Sequence, residues 1–335
     1  MRKTISTILL VMVACVAFAQ DNTDAVNTNK WIETYEGLNA AKDWNGMLGQ
    51  LEACKAEVPN WEFAYYYEGV ANLNLKNYDK AAAAFSKFLE KNQQTPAAYL
   101  FRGNAYLEMK EAQFAINDYD KYLQTNPNDV PVMLNKASAR LINNDYDNYI
   151  VDLTAVLNID AKNVGALSNR ASAYAMKKDW ASAVKDLTEL ITIEPNADHY
   201  YDRGFANYSL RTAESLKAAV ADFTKAEELG MKDAKLYVAR ATCNKALKQY
   251  ALEVADYTKL IEMDANNDEY YYDRGVALFK SQDYKGALAD FTKCTELNPK
   301  NVNAYKYRAN TNIKLGDKQA AAADAAKVKE IEGKK

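Results

Sequence analysis

The sequence repeats itself with a period of about 34 residues. Small residues recur along the chain at this interval; five of the seven steps between them equal the period, one is shorter by one and one is longer by three. These residues are Gly69, Gly103, Ala137, Ala171, Gly204, Ala241, Gly275 and Ala309. One step before Gly69, a degenerate first copy has Tyr35 at this place. A fixed period of this length is typical of stacked supersecondary units, each of which packs mainly against its neighbours.

The period divides the chain into nine repeats, and position 1 below is the first residue of each. The repeats begin near residues 28, 62, 96, 130, 164, 197, 234, 268 and 302 and together occupy residues 28–335. Repeat 6 has three extra residues around Arg211–Leu216, which we interpret as a longer loop. The low content of 12 Gly and 6 Pro argues against an all-β fold with many tight turns. We therefore expect an all-α chain.

Several positions of the repeat keep one type of residue. Position 8 is small in eight repeats, position 17 is usually aromatic, position 20 is often Ala, and position 24 is usually aromatic or Leu. Position 32 is proline in four repeats, at Pro59, Pro127, Pro195 and Pro299. Small residues at positions 8 and 20 let two antiparallel helices approach closely, and larger residues fill the space around that contact. Proline then ends the second helix, so each repeat is predicted to be a helix–turn–helix.

This pattern resembles the tetratricopeptide repeat, a helix–turn–helix of about 34 residues. The resemblance covers residues 28–335 and implies an all-α, right-handed superhelical solenoid of about nine repeats. It also implies a concave groove lined by the first helix of each repeat. Tyr35 replaces the small residue in repeat 1, and Tyr149 and Glu253 replace the alanine at position 20 in repeats 4 and 7. We expect less close packing at these places.

Seven repeats share a pair of opposite charges. Position 7 is Arg102, Lys136, Arg170, Arg203, Arg240, Arg274 or Arg308. Position 23 is Asp118, Asp152, Asp186, Asp222, Asp256, Asp290 or Asp324. With a turn near position 15, the two positions lie at matching depth on antiparallel helices. Ion pairs within or between repeats are therefore expected, and we interpret them as setting the register of the helices.

The resemblance also indicates where a partner would bind, because positions 2, 5, 9, 12 and 13 line the groove in this family. In this chain those positions carry aromatic side chains in two zones, one in repeat 2 and one across repeats 6–8. The predicted partner-binding residues are Phe63, Tyr66, Tyr201, Phe205, Tyr208, Tyr272 and Phe279. Tyrosine is enriched among the residues that dominate binding energy at protein interfaces. The alternative, that neighbouring repeats bury these rings, remains open at this stage.

The sequence contains no recognisable catalytic or metal-binding motif. His199 is the single histidine, and a serine or cysteine triad would have to use it. Cys54, Cys243 and Cys294 lie in distant repeats of the predicted stack, so we expect free, buried thiols without a disulfide. Zinc-ligand spacing is absent. The prediction is a protein that is not an enzyme and has no cofactor or metal.

Residues 1–19 have the pattern of an export signal. A basic start, Met1–Lys3, precedes an apolar run from Ile8 to Phe18, and Ala17–Ala19 matches the cleavage rule. A short linker, residues 20–27, follows. Cys15 offers an alternative in which the exported chain is anchored by a lipid. The apolar run is short for a membrane span, and we expect no transmembrane segment in the mature chain.

Charge and repeat architecture together indicate the kind of partner. The formal net charge is −3 and no basic cluster stands out, which argues against nucleic acid and anionic lipid surfaces as partners. The prediction is an exported protein, periplasmic or secreted, that binds a peptide or protein segment in its groove or helps to assemble a cell-envelope complex. The alternative is a structural or self-associating component of such an assembly.

Overall fold

A computed structural model describes residues 22–333 of the chain. The predicted export signal over residues 1–19, with Cys15, lies outside the described residues. Within residues 22–333 the structure consists of helices joined by short turns, with no strand. The prediction of an all-α fold built from helix–turn–helix repeats is confirmed.

Repeat 1 has three helices and each later repeat has two. In chain order they are α1 (Asn22–Ala41), α2 (Trp44–Gly49), α3 (Leu51–Glu57), α4 (Phe63–Asn74), α5 (Tyr78–Lys91), α6 (Pro96–Glu108), α7 (Ala112–Leu123), α8 (Val130–Ile142), α9 (Tyr146–Ile159), α10 (Val164–Met176), α11 (Trp180–Ile193), α12 (Ala197–Leu210), α13 (Ala213–Glu228), α14 (Ala234–Ala246), α15 (Tyr250–Met263), α16 (Asp268–Lys280), α17 (Tyr284–Leu297), α18 (Val302–Leu315) and α19 (Lys318–Glu332).

The described chain forms two compact parts. The N-terminal part ends at Ala166 and the C-terminal part begins at Leu167, near the start of α10. In the N-terminal part each helix from α4 to α9 packs on the next. The helices of the C-terminal part pack in the same way from α11 to α19. First helices of neighbouring repeats also touch, as α12 and α14 do.

The turn between the two helices contains a left-handed residue in all nine repeats. One residue at position 15 has a positive φ, between 55° and 89°. These residues are Lys42, Lys76, Lys110, Asn144, Lys178, Arg211, Lys248, Gln282 and Gly316. A left-handed residue ends the first helix and turns the chain back on itself. Only Gly316 in repeat 9 makes this turn without the penalty of about 1 kcal/mol that a side chain adds.

The residue after the turn often begins the second helix with a side-chain cap. Asp43, Asp145 and Asp283 each accept a hydrogen bond from a backbone N–H three residues later. Such caps satisfy N–H groups that would otherwise have no partner at the start of a helix. The three extra residues of repeat 6 do not form a longer loop. A capping box between Thr212 and Ser215 starts α13 early, so these residues lengthen the helix.

The two helices approach closely at position 8, where the ring at position 24 fills the space beside the small residue. A Cβ atom added at Gly69 would lie 2.7 Å from the ring of Phe85. At Gly103 the corresponding distance to Tyr119 is 2.9 Å. Real Cβ atoms do not approach other atoms this closely, so the ring at position 24 occupies the place of the missing side chain. Both rings are fully buried.

The opposite charges at positions 7 and 23 form ion pairs within their own repeats. The pairs are Arg102–Asp118, Lys136–Asp152, Arg170–Asp186, Arg203–Asp222, Arg240–Asp256, Arg274–Asp290 and Arg308–Asp324. The arginine also connects repeats. Arg102 donates two hydrogen bonds to Asp118, at 2.8 and 2.7 Å, and a third to Ser86 of the preceding repeat, at 3.0 Å. Arg274 does the same with Asp290 and Thr258.

The N-terminal part has an aromatic core that the repeat pattern alone does not predict. The Tyr35 ring stacks on Tyr67 at 4.7 Å between ring centres, and Trp31 and Trp61 surround it. Tyr35 is fully buried although repeat 1 lacks the small residue of the other repeats. Repeat 1 differs in two further ways. Its first helix begins at Asn22, inside the segment predicted to be a linker, and its second helix is interrupted at Gln50.

Candidate functional site

The most exposed of the seven predicted binding residues is Phe205 on α12. Its neighbours Gly204 and Ala206 are buried, and Gly204 faces the ring of Phe223. The helical period therefore directs Phe205 outward, and 42% of its surface is exposed. The ring lies edge-on to Trp180, with 6.1 Å between ring centres. A ring held in this way is both accessible and restricted in its motion, which favours binding of a partner.

Tyr201 and Tyr208 lie on the same stripe of α12, one turn on either side of Phe205. Both side chains are half-buried. The Tyr208 ring is 6.1 Å from that of Phe205. The Tyr201 ring packs at 5.6 Å against Phe223 in the core, and burial raises the pKa of its hydroxyl. The stripe therefore consists of one projecting ring between two half-buried ones.

A second group of half-buried rings lies on α16. Tyr272 and Phe279 both pack edge-on against Tyr307 of repeat 9, at 5.8 and 5.9 Å between ring centres. Phe279 also contacts Tyr284, at 5.4 Å. We call Tyr201, Phe205, Tyr208, Tyr272 and Phe279 together the C-terminal aromatic face.

The helix α14 belongs to the repeat between these two groups. The positions of α14 that correspond to the predicted partner-binding positions are more polar than those of α12 and α16. The exception is Val238, which is well exposed. Lys245 forms an ion pair with Asp273 of α16, at 3.3 Å. Trp180 and Val238 were not among the predicted binding residues. Trp180 occupies position 17, which is usually aromatic in these repeats. The repeat pattern could therefore have identified Trp180 as a residue of interest from the sequence.

Phe63 and Tyr66 of repeat 2 are core residues. Only 4% of Tyr66 is exposed, and Phe63 is similarly buried. The Tyr66 ring contacts Phe88 at 5.3 Å and Phe101 of repeat 3 at 6.2 Å. Burial raises the pKa of the Tyr66 hydroxyl. The alternative left open by the sequence, burial by neighbouring repeats, applies to this zone.

The side chains that most often carry chemistry are engaged in structural contacts. Cys54, Cys243 and Cys294 are free and buried, as expected, and burial raises the pKa of the Cys243 and Cys294 thiols to about 12. Such thiols are poor nucleophiles at neutral pH. His199 donates from Nδ1 to the carbonyl oxygen of Glu194, at 2.8 Å. Within residues 22–333 no group of side chains is arranged to hold a metal ion.

No helix between residues 22 and 333 combines the length and the apolar character needed to cross a bilayer.

Comparison with known proteins assigns the fold. Residues 66–130 and residues 269–301 each match a family described as tetratricopeptide repeat. The solved C-terminal part of a TPR repeat-containing protein from Cytophaga hutchinsonii is 19% identical with a TM-score of 0.55, over 72% of this chain and 98% of that one. A tetratricopeptide repeat protein from Parabacteroides merdae is 20% identical with a TM-score of 0.45, over 71% and 93%. No curated protein matches the chain.

A further solved structure, that of YrrB, is described as a TPR protein with an unusual peptide-binding site. It is 19% identical with a TM-score of 0.39, over 67% of this chain and 97% of that one. One family match lies in each part of the present chain, and the helix–turn–helix repeats run through both. The chain therefore contains tetratricopeptide repeats in both of its parts.

Proposed function

We propose that this protein is an exported scaffold that holds an extended or helical segment of a partner protein against the C-terminal aromatic face. The exposure of Phe205 is the observation that supports this most directly. An aromatic ring supported by Trp180 and Tyr208 offers a large contact area with little loss of side-chain freedom on binding. Binding to such a face would need no catalytic group.

Photo-crosslinking tests the site directly. A benzophenone side chain at position 205 should crosslink one discrete partner in cells of the native host. The matched control is position 114 on α7, because Phe114 is also exposed, at 56%, and packs against a neighbouring ring, Tyr106. Equal crosslinking from the two positions would contradict a specific site.

Affinity measurements with the identified partner segment complete the test. The double variant Phe205→Ala, Tyr208→Ala should weaken binding by about tenfold or more, since aromatic hot spots typically contribute this much. Phe114→Ala should leave the affinity unchanged.

Light scattering of the purified protein examines the alternative, that the protein associates with itself. A concentration-dependent oligomer that Phe205→Ala disrupts would identify the face as a self-association surface.

Export is a separate part of the proposal and rests on the sequence of residues 1–19. Mass spectrometry of the mature protein from cells tests it. A chain that begins at Gln20 would support cleavage of an export signal, and a lipid-modified N-terminus at Cys15 would support anchoring instead. An intact N-terminus at Met1 would overturn the proposal of export and would leave the binding site untouched.

A further inference from the structure

Glu253 occupies a place in repeat 7 where most repeats have a methyl group. It lies in the first turn of α15, at position 20. The corresponding residues of six other repeats are buried alanines, namely Ala81, Ala115, Ala183, Ala219, Ala287 and Ala321. Glu253 therefore places a carboxyl group in the tight contact between helices.

The carboxyl group of Glu253 has neither water contact nor a hydrogen-bond partner. The exposed fraction of the residue is 0%, and both carboxylate oxygens are buried without a donor. Burying an ionised carboxylate under these conditions is strongly unfavourable, whereas the neutral acid is tolerated much better. The position thus favours a protonated Glu253.

The charged groups around Glu253 come from both helices that pack against α15. Lys245 on α14 and Lys280 on α16 attract the ionised form, and Asp273 on α16 repels it. Both lysines are already occupied, because Lys245 is paired with Asp273 and Lys280 lies over the ring of Tyr250.

On its own helix, Glu253 is followed one turn later by Asp256 and Tyr257. Asp256 is held by Arg240 and Asn244 of α14, so its charge is satisfied without Glu253. Burial is the largest effect on Glu253 and raises its pKa to about 7, while the two lysines act in the opposite direction and Asp273 reinforces the rise.

We propose that Glu253 is a proton-binding residue that makes the packing of α14, α15 and α16 sensitive to pH near neutrality. The helices pack closely while the carboxyl group is protonated. When it ionises, the carboxylate requires contact with water or with one of the two lysines. Either contact requires α15 to move away from α14 or α16. The effect is on the stability of repeats 7 and 8 and does not depend on whether the aromatic face binds a partner.

The direction of the effect follows from the two protonation states. The folded-state pKa of about 7 lies above the ordinary value of 4.5, so the folded chain keeps a proton that the unfolded chain has lost. The stabilisation is complete below about pH 4.5 and declines as the pH rises from 4.5 to about 7. The equilibrium constant for unfolding of these repeats rises by about tenfold for each pH unit in that interval and levels off above it.

Two variants of the full chain test this proposal. Glu253→Gln keeps the shape of the neutral acid, and Glu253→Ala restores the residue of the other repeats. Urea unfolding should show that both variants are more stable than the natural chain at pH 8.5, with a smaller gain at pH 5.5. Glu262→Gln is the matched control on the same helix, since Glu262 is exposed and paired only with Lys259.

Amide hydrogen exchange locates the effect. At pH 8.5 the segment from α14 to α16 should exchange faster in the natural chain than in Glu253→Gln, and the comparison at one pH cancels the intrinsic rate. The gain in stability of Glu253→Gln could instead be the same at pH 5.5 and pH 8.5, or exchange could be unchanged in this segment. Either result would overturn the proposal.

Discussion

Aromatic residues at the same position of the repeat have different surroundings in the two parts of the molecule. Tyr66, Tyr201 and Tyr272 all occupy position 5 of their repeats. Tyr66 is buried in the N-terminal part, whereas Tyr201 and Tyr272 are half-buried in the C-terminal part. Position in the repeat therefore does not decide whether a ring is available to a partner.

One source of the difference is position 27 of the same repeat. Phe88 occupies this place in repeat 2 and lies 5.3 Å from the ring of Tyr66. The smaller residues Ala226 and Cys294 occupy it in the repeats of Tyr201 and Tyr272. Only Tyr66 is therefore covered by a ring from this side.

The other source is position 6 of the next repeat. Phe101 lies there after Tyr66, at 6.2 Å, and Tyr307 lies there after Tyr272, at 5.8 Å. Repeat 7 has the small residue Ala239 at this place, so no equivalent ring follows Tyr201. Tyr66 alone has a ring on both sides, and it alone of the three is buried.

The largest expected difference between the two regions is in stability. Tyr66→Ala removes a ring from a packed aromatic core and should lower the free energy of unfolding of the N-terminal part by about 3–5 kcal/mol. Phe205→Ala removes an exposed ring and should lower that of the C-terminal part by less than about 1 kcal/mol. Urea unfolding followed by circular dichroism measures both. Similar losses for the two variants would mean that Phe205 is a core residue in solution.

A smaller difference is expected for the glycines at position 8. Gly69→Ala would place a Cβ 2.7 Å from the ring of Phe85, which is held between Tyr66 and Phe101. We expect a net loss of about 1 kcal/mol, since overpacking outweighs the gain in helix propensity. The Cβ of Gly204→Ala would lie 3.0 Å from Phe223, so overpacking and propensity should nearly cancel.

The same unfolding measurement checks this pair of glycine variants. A greater loss for Gly204→Ala than for Gly69→Ala would contradict the tighter packing that we assign to the N-terminal aromatic core.

The sequence predicted the parts of this fold that depend on contacts within one repeat. The small residue at Gly69 and the ring of Phe85 lie in one repeat, as do Arg102 and Asp118, and each pair meets as expected. The burial of Tyr66 depends in part on the next repeat, where Phe101 does not belong to the recurring positions of the pattern. Contacts of this kind vary from repeat to repeat, so periodicity cannot reveal them.

Glu253 and the turn residues show the same limit. Glu253 departs visibly from the alanine pattern, which marks a place of altered packing. Its lack of a hydrogen-bond partner follows from side chains on α14 and α16 that the pattern does not align. The left-handed turn at position 15 was hidden because lysine, not glycine, occupies it in most repeats, as at Lys76. Packing of the two helices imposes this conformation against the preference of the residue.

The smallest expected effect is a spectroscopic one that reports on the exposed ring itself. Trp180 is the single tryptophan of the C-terminal part, and its ring contacts Phe205. Phe205→Ala should expose Trp180 further to water and shift its fluorescence slightly to longer wavelength. Phe114→Ala should leave the spectrum unchanged, because Phe114 belongs to repeat 3 and the tryptophans of the N-terminal part all lie in repeat 1. An unchanged Trp180 spectrum in Phe205→Ala would show that the two rings do not pack in solution, and the support that we assign to the binding ring would be absent.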